Sequence, residues 1–109
     1  MYAAILHLTF PPGQHDQVVR FLCDEMMPVI RDNEGFVDFR VLDAGTAGEL
    51  VTIDTWNHHD DAVAAIQRPA AQAVHARYAD MGIAVKSATR YSVLATSCAS
   101  SAYADAPEI

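Results

Sequence analysis

TWNHHDDA, residues 55–62, sets two histidines and two aspartates side by side behind a tryptophan and an asparagine. Read as a metal centre, it would organise the chain around an ion. Read as a junction, it marks where a strand stops and a helix starts. The junction is the better reading. Side chains at consecutive positions diverge, and a helical metal motif needs histidines at i and i+4, as in HExxH, which this stretch lacks. Asn57 is a favoured N-cap residue, and Asp60 stands three positions later in the manner of a capping box. Asp60 and Asp61 then place negative charge in the first turn, where the helix dipole favours it by about 0.3–1 kcal/mol each. A strand ending at Trp56 and a helix over residues 60–81, broken at Arg68-Pro69, follow from this reading.

Upstream, ELVTIDTW (49–56) is reached through the turn AGTAG (44–48) from GFVDFRVLD (35–43), so the two runs form a hairpin. Pairing Leu42 with Leu50 puts Phe36 opposite Trp56, Arg40 opposite Thr52, and Asp38 across from Asp54. With Arg40 diagonal to Asp54, this is a structural charge cluster. Its sharper alternative is a catalytic carboxylate pair.

Residues 2–10 alternate between two sets that are both mostly apolar, as in a strand covered on both faces, and Pro11-Pro12-Gly13 ends it. Over residues 14–33 the spacing turns helical, with Gln17, Arg20, Asp24 and Arg31 on a polar stripe. Pro28 falls on that stripe, where a kink would not invade the core. The apolar sector, which includes Phe21, Leu22 and Met26, is wider than packing on one sheet requires, so part of it is expected to line a pocket. A last strand is expected over residues 88–96, and residues 97–109 are expected to be a small, polar tail, mobile or packed on a partner subunit.

The order strand, helix, strand, strand, helix, strand defines an α+β chain of the ferredoxin-like βαββαβ type, one domain over residues 1–96. Two helices cover one face of a four-stranded sheet. The other face is apolar as well, and a second copy of the sheet is its simplest cover, giving a dimeric α+β barrel.

Composition excludes several partners. The formal charge of −7, from 14 acidic and 7 basic residues, opposes binding to nucleic-acid phosphates or to an anionic membrane. No apolar run approaches the roughly 20 residues that span a bilayer. The start MYAAILHLTF lacks the features of a signal peptide, so a cytoplasmic location is expected. Cys23 and Cys98 are expected as free thiols.

Candidate chemistry rests on His75, which shares a helical face with Val74 and Tyr78, and on His7 in the middle of the first strand. Both are expected to reach the space between sheet and helices. Trp56 and Tyr78 are core residues first and ring-binding platforms second.

The PPG exit of strand one, NEGFVDFRVL (33–42), VTIDTW (51–56) running into HHDDAVAA (58–65), and the terminal strand together resemble the antibiotic biosynthesis monooxygenase family, over roughly residues 2–96. The resemblance implies a homodimeric α+β barrel with one pocket per subunit. It implies oxidation of a small phenolic, quinol or polyketide-like substrate by molecular oxygen, without metal, flavin or haem. His75 or His7 would act as the base, and Trp56, Tyr78, Ile66, Phe21 and Leu22 would contact the ring. A haem-binding or haem-degrading branch of the same superfamily offers an alternative. There His75 corresponds to the iron ligand, while His7 and Ile66 replace that branch's asparagine and tryptophan. A non-catalytic small-molecule-binding dimer is the third possibility.

Overall fold

The computed structural model describes residues 1–96. The expected tail and Cys98 lie outside the described residues. Four strands form one antiparallel sheet: β1 (Tyr2–Thr9), β2 (Phe36–Asp43), β3 (Glu49–Trp56) and β4 (Ala84–Ser92), in the order β2-β3-β1-β4. With α1 (His15–Phe21), α2 (Met27–Arg31), α3 (His59–Gln67) and α4 (Pro69–Asp80) on one face, this is the ferredoxin-like α+β arrangement. Among the described residues no helix is long and apolar enough to cross a membrane.

The first helical region changes its winding just before its proline. Leu22–Met26 form a π-helical turn between α1 and α2. Pro28 has no N–H to donate, and its ring would crowd the carbonyl of Asp24, four residues back; the wider turn just before it absorbs both effects. That turn drives Leu22 and Met26 into the core, where they are 0% and 1% exposed, together with Leu8, Val18, Phe21 and Leu50.

In the hairpin, Phe36 does pair with Trp56, but Val37 is a bulge and everything beyond it shifts by one residue. Leu42 therefore faces Val51 rather than Leu50, Arg40 faces Ile53, and Asp38 faces Thr55. The expected cluster of Asp38, Arg40 and Asp54 does not form. The reason is packing: a one-residue slip exchanges the two faces of a strand. In the observed register Phe39 and Val41 pack on the core, while Asp38 and Arg40 pair with each other at 3.6 Å.

β4 begins four residues earlier than the pattern predicts and ends at Ser92, opposite Tyr2. Its length is set by β1: the ladder runs from Thr9–Ala84 to Tyr2–Ser92, with a bulge near Lys86. β4 is exposed along its whole length.

Candidate active site

The quoted stretch is a helix start, displaced by one residue. Asn57 stays tied to the sheet, its amide donating to the Gly35 carbonyl at 2.8 Å, so the helix opens at His59 after an extended His58. Among the described residues no side chain caps it, which corrects the expected role of Asn57. Asp60 and Asp61 do occupy the first turn. Gly35, at φ +79°, makes room for the Asp61 carboxylate, which any β-carbon there would strike. Among the described residues no three of His, Cys, Asp and Glu gather where they could hold a metal ion.

Between the sheet and the helices lies a cavity of about 580 Å³. Its floor comes from Tyr2, Ala4 and Leu6 of β1 and from Thr52, Asp54 and Trp56 of β3; these are every second residue of two neighbouring strands. The far walls include Met26, Ile30, Ile66, His75 and Tyr78, and Arg90 enters from β4. A second depression, of about 340 Å³ along Gly13–Arg20, is polar and brings no comparable set of groups together.

Of the residues anticipated for the site, His75, Trp56, Tyr78 and Ile66 line the cavity. Phe21 and Leu22 do not: at the junction of α1 and the π turn they are buried in the core behind it. Phe21 still supports the wall, packing edge-on against Tyr78 at 5.7 Å. His7 is misplaced by the expectation. It alternates with Leu6 and Leu8, so its ring stands on the opposite face of the sheet, 3.6 Å from Glu49. Lys86 donates to Glu49 at 3.1 Å and lowers the pKa of that carboxylate. Both residue sets of β1 are apolar, which hid this parity.

Asp54 is the residue that sequence reasoning assigned to the wrong neighbours. Its Oδ2 accepts the Trp56 indole N–H at 2.7 Å. Burial raises the pKa of its carboxyl, against the lowering effects of that hydrogen bond, its backbone, Arg90 and His75. His75 is an exposed residue that lines the cavity, yet partial burial lowers its pKa, and the Asp54 charge opposes the change. Its ring packs edge-on against Tyr78 at 5.4 Å. Burial, with help from Asp54, pushes the Tyr78 phenol up to about 12. At neutral pH the cavity thus presents a neutral imidazole, a protonated phenol and a carboxyl held by an indole. That set can accept one proton from a bound ligand and donate hydrogen bonds to its oxygens.

A ferredoxin-like α+β domain with a mixed apolar and polar pocket between sheet and helices is the class that fold and site define. The profile of the antibiotic biosynthesis monooxygenase family matches residues 1–77, and the chain belongs to that family. Its fold is similar to that of HapK from Hahella chejuensis (TM-score 0.77, 15% identity, covering 93% of this chain and 100% of that one). It is also similar to a Deinococcus radiodurans protein provisionally assigned to the same family (TM-score 0.76, 13% identity, 90% and 97%). A third similar structure is SnoaB from Streptomyces nogalater, described as a cofactor-independent oxygenase (TM-score 0.67, 16% identity, 87% and 94%). No curated protein sequence matches the chain significantly.

Proposed function

We propose that this protein is a cytoplasmic, homodimeric monooxygenase that oxidises a small phenolic or quinol substrate with molecular oxygen and no cofactor. The observation that carries the reading is the meeting of His75, Tyr78, Asp54 and Trp56 in one largely apolar cavity. The family and the description of SnoaB as cofactor-independent support it.

The chemistry needs little from the protein. His75 takes the phenolic proton, and the Asp54 carboxylate faces the imidazolium that results. Tyr78, which keeps its proton, donates to a substrate oxygen. The electron-rich phenolate passes an electron to oxygen, and the radical pair combines at ring carbon to a peroxide. The His75 imidazolium returns its proton to the peroxide, and loss of the ring carbon's hydrogen together with the distal oxygen as water leaves a quinone carbonyl. One oxygen atom ends in product and one in water, and all four electrons come from the substrate. Trp56 and Ile66 hold the ring and exclude water.

The alternative of haem degradation fits poorly. His75 lines the cavity, but His7 lies across the sheet and Ile66 is 49% exposed at the rim. Hemin titration is expected to leave the Soret band broad. A sharpened band lost in His75→Ala would favour haem instead.

The dimer is inferred from the uncovered face of the sheet. Register puts Ile5, Val51, Ile53, Leu42 and Tyr91 together there, with no helix over them among the described residues. The deciding experiment is oxygen uptake by metal-stripped protein with naphthoquinols, anthrones and catechols. Uptake at the uncatalysed rate for every compound would overturn the oxygenase reading in favour of a binding protein.

A further inference from the structure

Ala4 lies between two residues of opposite charge. Its register partner on β3 is Asp54, and its partner on β4 is Arg90. Directly paired residues share a face of the sheet, so all three side chains stand on the helix-covered side, and all three line the cavity. Two inter-strand spacings separate the Asp54 and Arg90 backbones by roughly 10 Å. Only the methyl group of Ala4 lies between them at that level, so the floor is low there.

The two groups differ in what they still need. Asp54 Oδ2 is taken by the Trp56 indole. Arg90 is exposed on the edge strand, and among the described residues it enters no ion pair within 4.0 Å; the arginines that do are Arg40 and Arg77. Trp56 and Tyr2 close one end of the trough, and Leu6 and Thr52 the other. The sheet floor of the cavity thus carries an acid on one side of Ala4 and a planar, five-donor cation on the other.

We propose that this cavity selects a flat hydroxyaromatic compound with its hydroxyl on the Asp54–His75 side and a carbonyl or carboxylate oxygen on the opposite edge, held by Arg90. The inference rests on reading the cavity as the substrate site, and it narrows that reading to molecules with donor and acceptor on opposite edges. A fused two-ring skeleton spans the gap; a phenol with no acceptor leaves Arg90 unused.

Binding, not turnover, tests it, so a failed oxygen-uptake assay and a failed ligand selection are distinguishable. Calorimetric titration would use 6-hydroxy-2-naphthoate, 6-acetyl-2-naphthol, 2-naphthol and 6-methoxy-2-naphthoate. At least one of the first two is expected to bind about tenfold tighter than either singly equipped compound, since a hydrogen bond to a charged group carries roughly that much. Tighter binding of the naphthoate assigns a carboxylate ligand; equal or tighter binding of the acetyl compound assigns a carbonyl. Arg90→Gln, on an exposed strand, should remove the advantage over 2-naphthol and keep the advantage over the methoxy compound, while Arg90→Lys restores part of the first. Equal binding of 2-naphthol, a preference that survives Arg90→Gln, or no binding by any of the four overturns the proposal.

Discussion

The indole N–H of Trp56 donates to Oδ2 of Asp54, two residues away on the same face of β3, at 2.7 Å. Trp56 is 1% exposed, so this bond joins the second core cluster, formed with Ala62 and Ala65, to the floor of the cavity. A carboxylate is thereby kept in a place where burial works against its charge. Stability and chemistry oppose each other at this position.

Asp54→Asn should separate them. Because the folded carboxyl has a raised pKa, its contribution to stability is fully present below the unfolded value of 3.8 and is lost as pH rises through the folded value. The amide keeps an acceptor for the indole and carries no charge. The urea unfolding free energy of the variant should therefore equal or exceed that of the wild type at neutral pH, and any gain should vanish toward acid. A variant clearly less stable at neutral pH refutes the account. Trp56→Phe, which leaves the carboxylate without its donor, should cost about 1–3 kcal/mol or more.

His75 is expected to set the acid limb of the proposed activity. Its pKa is depressed by partial burial, so the imidazole is neutral at pH 7 and kcat/KM should rise through an inflection below 6.5, then stay flat. In Asp54→Asn the opposing charge is gone, and the inflection should move to lower pH. His75→Ala should lower turnover about 10²–10⁴-fold while circular dichroism remains unchanged. Activity that survives this substitution removes His75 as the base and leaves the oxygenase reading standing.

Association should run through the open face of the sheet. Ile53 pairs with Ile5 on β1 and with Arg40 on β2, near the middle of that face. A stable dimer of ordinary size buries about 1,200–2,000 Å² in total. Sedimentation at micromolar concentration should give a dimer for the wild type and a monomer for Ile53→Glu. A folded wild-type monomer would sink the barrel.

Two glycines of the β2–β3 turn should respond differently to alanine. Gly45 and Gly48 both sit at φ +76°, so each variant bears the left-handed backbone cost of about 1–2 kcal/mol. At Gly45 nothing lies within 4 Å of the added carbon, whereas at Gly48 it would meet the Phe10 carbonyl at 2.7 Å, the group beside the Phe10–Gly48 backbone bond. Thermal unfolding should show Gly48→Ala distinctly less stable than Gly45→Ala. Equal losses would mean that the turn adjusts freely.

What the sequence by itself determined is local. Period-two runs bounded by PPG, AGTAG and Arg68-Pro69, with aspartates in a first helical turn, were enough for four strands, two helical regions and the ferredoxin-like order. They also placed His75 and Tyr78 on one helical face, and both line the cavity. These signals depend on neighbours within a few residues, where backbone geometry dictates spacing. Which side of the sheet a strand residue faces is another matter when both of its residue sets are apolar. Only packing against the helices sent Leu6 inward and His7 outward. Only the bulge at Val37, favoured because it packs Phe39 and Val41 against the core, released Asp54 from Asp38 and left it to Trp56. Core packing at the junction of α1 and the π turn likewise withdrew Phe21 and Leu22 from the site. Facing and register are properties of contacts between distant segments, and one residue of slip reverses them, so the site was decided by tertiary structure.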